Sequence, residues 1–197
     1  RTGIVQLAFD DKSDKEIFNA MKSGIEAFNC ESLQEIYVIN EMAHVHGLKA
    51  NVSVRINPDI DAHTHKYVTT GLYENKFGIS QHEFDKLIEI IGKSSHINFI
   101  GLHFHVGSQI SRVEEVFGLE CRRVNEIVAY FESKGLKIDN INLGGGLGVD
   151  YDDPDGNPIA DFGTWFEAIS SNIVRRPDQA VHVEPGRSLV AQCATLI

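Results

Sequence analysis

The sequence predicts an α/β protein built as a parallel (β/α)8 barrel of the TIM type, incomplete here, with about six of its eight strands present. Two observations predict it. Short apolar segments alternate with glycine-containing or polar loops and longer amphipathic segments, the strand, loop, helix rhythm of a parallel sheet. Side chains and glycines able to do chemistry then stand at the C-terminal ends of successive strands: Arg55, His105, Gly144 to Gly146, and Glu184. The rhythm alone also allows an open doubly wound sheet, but a barrel is the fold that gathers all such ends on one face. Six strands cannot close a barrel of eight, so two are expected before Arg1. Arg1 is not a natural initiator, and residues 192–197 read as a strand cut in the middle, so the chain is expected to be a piece of a longer protein.

The elements follow in order. Residues 3–9 (GIVQLAF) form the first strand, and Ser13 or Asp14 caps a helix whose Ile17, Phe18 and Met21 share a face. Residues 27–29 are a short strand, and Ser32 with Glu35 three positions later is a capping box that opens a helix reaching about His46. The strand at 51–57 (NVSVRIN) is halted by Pro58; the irregular segment 59–78 that follows is too long for a plain connection and is a candidate functional loop. Ser80 with Glu83 caps a helix carrying Phe84, Leu87, Ile88 and Ile91. Strands at 98–106, 137–143 and 180–184 and helices at 112–133 and 162–174 complete the chain.

Of the 197 residues, 42% are hydrophobic and 23% charged, enough to bury a core in a single domain. A formal net charge of −10, without clustered Lys and Arg, argues against nucleic acid or an anionic membrane as partner and for a small molecule. Three cysteines, Cys30, Cys121 and Cys193, are odd in number and unpatterned in spacing; neither a disulfide framework nor a zinc knuckle is indicated, and a reducing, cytoplasmic compartment is expected.

The chemistry concentrates in two stretches. In 141–148 (INLGGGLG) a strand runs into Gly144, Gly145 and Gly146, backbone without Cβ where an anion can approach N–H groups. In 181–188 (VHVEPGRS) a strand again meets a glycine, with the carboxylate of Glu184 before it and the guanidinium of Arg187 after it. Glycine turns, a carboxylate and an arginine at adjacent strand ends suit a phosphorylated, nitrogen-containing cofactor. His103 and His105 stand two apart on one strand, which turns both rings to one face. That pair could ligate a metal, with His182 and Glu184 as the other nominees, but no ligand spacing supports the set and no metal is expected. His105 is better used as a flat ring against a flat cofactor, with Gly107 and Ser108 offering an N–H and a hydroxyl to a phosphate. Lys49 lies before a strand, at the opposite mouth of the barrel, and reads as a solvated surface lysine rather than a Schiff-base lysine.

Taken together, GLHFHVGSQ, NLGGGLGVDY and EPGRS, with SVRINPDIDAHTHKYVTTGL and ENKFGIS upstream, resemble the pyridoxal-phosphate-dependent decarboxylases of the alanine-racemase-like barrel fold. The resemblance runs through essentially the whole chain, in order. It is nearest to the branch acting on meso-2,6-diaminopimelate, where Gln109 follows the histidine motif; ornithine-acting relatives continue differently there. It implies pyridoxal 5'-phosphate as cofactor, with His105 stacked on the pyridine ring. Ser108, Gly146 and the Gly186–Arg187 backbone would hold the phosphate, Gly144, Gly145 and Pro185 would also bind the cofactor, and Glu184 would pair with the pyridine nitrogen. Arg187 would also reach the distal carboxylate of the substrate, and Arg55 would lie near the cofactor. By the same resemblance, the activity is decarboxylation of meso-2,6-diaminopimelate to L-lysine in a homodimer. A decarboxylase of carboxynorspermidine, ornithine or arginine, or a non-catalytic relative, stands as the alternative. Residues 1–191 would be a partial cofactor-binding barrel domain and 192–197 the start of a crossover to a C-terminal β domain. The family's Schiff-base lysine falls before Arg1, so the chain as given is expected to be inactive.

Overall fold

The computed structural model describes residues 6, 7, 12–60, 77–191 and 193. Among these the strands are β1 (Gln6–Leu7), β2 (Ala27–Cys30), β3 (Ala50–Arg55), β4 (Ile97–His103), β5 (Asn140–Gly145) and β6 (Ala180–Glu184). The helices are α1 (Asp14–Lys22), α2 (Leu33–Val45), α3 (Phe84–Lys93), α4 (Val113–Ser133), α5 (Phe162–Asn172) and the single turn α6 (Arg187–Val190). The strands form one sheet in the order β1-β2-β3-β4-β5-β6, every neighbouring pair parallel. A doubly wound sheet reverses its strand order at a switch point. This sheet never does, and the chain winds in one direction as six strands of a β/α barrel. The expected first strand is described only at Gln6–Leu7, and most of the 59–78 loop and of the segment 192–197 lies outside the described residues.

Local signals place the helices. Ser13, rather than Asp14, caps α1 in a full capping box: Glu16 N–H donates to the serine side chain, and the Glu16 carboxylate accepts the Ser13 N–H at 2.9 Å. At α2 the expected box is only half made. Ser32 accepts the Glu35 N–H at 3.2 Å, but the Glu35 carboxylate is drawn to Lys12 and to the Glu31 N–H, because an ammonium competes better than one backbone donor. Gln81–Glu83 form a 3-10 turn before α3, which buries Phe84, Leu87, Ile90 and Ile91; Ile88 is only partly covered.

Alternation along the strands sorts the sheet's two faces. Phe28, Val52, Val54, Leu102, Ile141 and Leu143 join the core with Ile36, Ile39, Leu87, Phe117, Val124, Phe131 and Trp165 from the helices. The intervening positions are Asn29, Ser53, Arg55, His103, Asn142, His182 and Glu184, and register lines up Arg55 with His103, His103 with Asn142, and Asn142 with His182. A parallel strand covered by helices on one side needs only that side apolar; the other face is free to carry polar groups, and here it does.

Candidate cofactor site

The C-terminal ends of β4, β5 and β6 enclose a cavity of about 250 Å³ lined by His105, Ser108, Gln109, Gly146, Leu147, Glu184, Pro185, Gly186 and Arg187. β4 ends at His103, so His105 lies beyond the strand, in the loop leading to α4, not on it as the H-x-H pattern predicts. β5 gains one residue over its neighbour at the end. Asn142 pairs with His182 and Gly145 with Glu184, three steps against two, and the extra residue is accommodated where Gly144 turns to φ +65°.

That bulge gives the glycines a reason of their own. A Cβ on Gly145 would stand 1.7 Å from the Glu184 carbonyl oxygen, and one on Gly144 2.4 Å from that of Phe104. At Gly146 it would stand 1.9 Å from the Gly107 carbonyl. The triplet is therefore demanded first by the close approach of three chain segments. Of the three only Gly146 reaches the cavity wall.

Glu184 is held from two sides. Asn142 Nδ2 donates to Oε1 at 2.9 Å, while Asn142 Oδ1 accepts the Gly144 N–H at 2.8 Å, so one amide ties the carboxylate to the bulge. His103 Nε2 lies 3.5 Å from Oε2, within charge range but long for a hydrogen bond, and neither ring nitrogen makes a well-aligned bond among the described residues. The His103 imidazole, with help from Asn142 and His105 and against the pull of partial burial, holds the Glu184 carboxyl down at about 2. The side chain is 43% exposed, so solvent screens part of this effect, but the group is a carboxylate at neutral pH.

His105 is the opposite case. Burial, then the Arg55 cation, pull its pKa down to about 4. Nδ1 accepts the Gly145 N–H at 3.3 Å, which requires a ring unprotonated at that nitrogen. His105 is thus a neutral flat ring beside a carboxylate. Arg55 does not line the cavity: it pairs with Glu31 at 2.7 Å and lies over the Phe77 ring at 5.4 Å. His182 is turned toward Asn140, at 3.5 Å, and among the described residues no three of His, Cys, Asp and Glu are grouped to hold a metal.

Sequence reasoning missed Asn142, Glu31 and the part His103 plays toward Glu184. Period-two alternation carried a usable signal for Asn142, which shares a strand face with His103 and Glu184 across the register.

A barrel that offers an ionised carboxylate, a neutral imidazole and a glycine-lined cavity at its strand ends belongs to the phosphocofactor-binding class. The comparisons narrow this. A family model described as pyridoxal-dependent decarboxylase, pyridoxal binding domain, matches residues 4–191, and the chain belongs to that family. It is 45% identical over 186 residues to a diaminopimelate decarboxylase of Bacteroides thetaiotaomicron, covering 94% of this chain and 48% of the relative. A crystal structure of diaminopimelate decarboxylase from M. jannaschii aligns with a TM-score of 0.79 at 35% identity, over 91% of this chain and 42% of the other. The Helicobacter pylori diaminopimelate decarboxylase complexed with L-lysine aligns at 0.72 and 34%, over 90% and 44%. The chain thus spans about half the length of the relatives it matches.

The cavity fits pyridoxal phosphate by its own chemistry. Among the described residues the N–H groups of Gly186 and Arg187, both on the wall, find no acceptor within the protein, and an anion is what two adjacent free N–H groups bind. The Ser108 hydroxyl and the His105 ring complete donors and a flat wall.

Proposed function

We propose that the full-length protein decarboxylates meso-2,6-diaminopimelate to L-lysine, and that this chain supplies most of the cofactor's site. One observation carries the reading: an ionised carboxylate, Glu184, at the cavity that two free N–H groups mark for phosphate. Pyridoxal phosphate held there supplies an electron sink for the pair left when a Cα carboxylate departs as CO2. Glu184 holds a proton at the pyridine nitrogen, and Asn142 and His103 keep its charge aimed there. His105, being neutral, would offer a flat wall to the cofactor ring without repelling a proton held at its nitrogen. Ser108, Gly146 and the Gly186–Arg187 backbone hold the phosphate, and Arg187 receives the substrate's distal carboxylate. Alanine racemases place an arginine where Glu184 stands, which favours a neutral nitrogen and a poorer sink; the carboxylate favours decarboxylation.

Residues 1–191 are the cofactor-binding barrel domain on this reading, and 192–197 lead toward a second domain. The working form is a cytoplasmic homodimer, which the three free cysteines suit. Among the described residues no helix is long and apolar enough to cross a membrane.

The test is CO2 and lysine release from meso-diaminopimelate by the full-length protein and its Glu184→Gln variant, normalised to bound cofactor by absorbance. Glutamine keeps the shape and one hydrogen bond but not the charge, so kcat is expected to fall roughly a hundredfold or more. A variant within about threefold of the parent refutes the sink. Turnover of ornithine, arginine or carboxynorspermidine in preference to diaminopimelate moves the assignment to a sister decarboxylase, and none at all to a binding protein.

A further inference from the structure

We propose that Gln109 and Tyr151 form a strut that sets the reach of Arg187 and so tunes the site to amino acids carrying a second carboxylate. The proposal rests on Arg187 as the receiver of that carboxylate.

The strut begins at a two-point clasp. Gln109 Nε2 donates to the Val149 carbonyl at 2.6 Å, and the Val149 N–H donates to Gln109 Oε1 at 3.3 Å. Alongside it the Ile110 N–H donates to Gly146 O at 2.8 Å and the Gly148 N–H to Ile110 O at 3.0 Å, so residues 109–110 are zipped to 146–149. Gln109 adopts φ +58°, a left-handed conformation uncommon for a residue with a side chain, which persists where surrounding bonds over-determine it. Here those bonds are the clasp and the zip.

From Val149 the chain passes through a braced turn. Asp150 Oδ1 accepts the N–H groups of Asp152 and Asp153 at 2.9 and 3.0 Å, and Oδ2 accepts Asn157 Nδ2 at 2.9 Å. Tyr151, inside the braced turn, is 63% exposed, yet its hydroxyl accepts a hydrogen bond from Arg187 Nη1 at 3.3 Å. An exposed tyrosine contributes little to the core; this one is tied to the guanidinium that faces the substrate. The bond uses one of arginine's five donors and restrains a long flexible side chain, leaving the rest of the fork for a carboxylate. Beside the cofactor cavity a second cavity, about 700 Å³, shares its Gln109 and Leu147 walls and is lined by Tyr151.

The experiment uses the full-length enzyme with meso-diaminopimelate as substrate and cadaverine, the diamine left when L-lysine loses its remaining carboxylate, as the competing ligand without the group that Arg187 receives. Tyr151→Phe and Gln109→Ala are each expected to raise KM roughly fivefold to tenfold, the first by removing an exposed hydrogen bond to Arg187 and the second by releasing the clasp on Val149 that positions Tyr151. Tyr151→Phe should leave kcat, cofactor affinity and the inhibition constant of cadaverine within about twofold, a split that general loosening would not produce. Because both act through one bond to Arg187, the double variant should be no worse than the worse single. Arg187→Lys is the reference and should raise KM more. An unchanged KM in Tyr151→Phe while Arg187→Lys fails refutes the strut but not the role of Arg187. Unchanged KM in both refutes that role as well. Multiplying effects in the double variant refute the coupling, and an equal loss of cadaverine affinity refutes selectivity for the second carboxylate.

Discussion

Gly145→Ala probes the site and the fold at once. Gly145 pairs with Glu184 in register, and the added Cβ would stand 1.7 Å from the Glu184 carbonyl oxygen, itself backbone and unable to rotate away. A tolerable carbon–oxygen contact is about 3.3 Å, so β5 and β6 must separate by roughly 1.6 Å at this point. That shift breaks about two ladder bonds, about 1 kcal/mol each, and the overpacking adds about 1–3 kcal/mol more. The expected loss is about 3–5 kcal/mol, a fall in Tm of roughly 6–20 °C for a domain of this size. The same shift carries the Glu184 side chain away from Asn142, so pyridoxal phosphate affinity should fall in parallel. The assay is thermal unfolding of the full-length variant by circular dichroism, with cofactor affinity from an absorbance titration. Gly92→Ala is the control. Its Cβ meets nothing within 4 Å in α3, and alanine there should stabilise by about 0.5–1 kcal/mol. If Gly145→Ala matches the parent in Tm and cofactor affinity, the claim that chain packing demands this glycine is wrong.

Two further outcomes concern titration. His105 is kept neutral down to about 4, while an unfolded chain protonates it below about 6.5. Between these values the unfolded state holds more protons, so stability of the cofactor-free protein should fall as pH drops from 6.5 toward 4, by about 1–3 kcal/mol after allowing for partial exposure. His105→Gln should flatten that slope in urea titrations across the window; parallel curves for parent and variant count against it. Glu120, on α4, is fully buried, and neither carboxylate oxygen has a partner among the described residues. Burial alone pushes its pKa well up, so the folded state keeps a proton that the unfolded chain releases, and stability is lost as pH rises above about 4.5. Glu120→Leu should remove that loss and stabilise the protein by about 1–3 kcal/mol at pH 7; an unchanged or lower Tm contradicts the burial argument.

What the sequence by itself determined is what depends on near neighbours in the chain. Strand and helix periods, the Ser80–Glu83 cap and the ends of β6 follow from spacing and side-chain chemistry within a few residues. The same spacing brought His105, Ser108, Gly146, Glu184 and Arg187 to strand ends, and a fold that gathers strand ends then assembles them. What only the tertiary structure decided are the contacts across register. Asn142 reaches Glu184 from 42 residues away across the β5–β6 pairing, and the bulge that follows it is invisible in a string of glycines that reads equally as a phosphate turn. Glu35 abandons its capping box for Lys12, a partner 23 positions distant. Arg55 turns to Glu31 rather than to the cavity. In each case two local preferences were nearly equal, and the choice fell to whichever charge or carbonyl the folded sheet brought within about 3 Å.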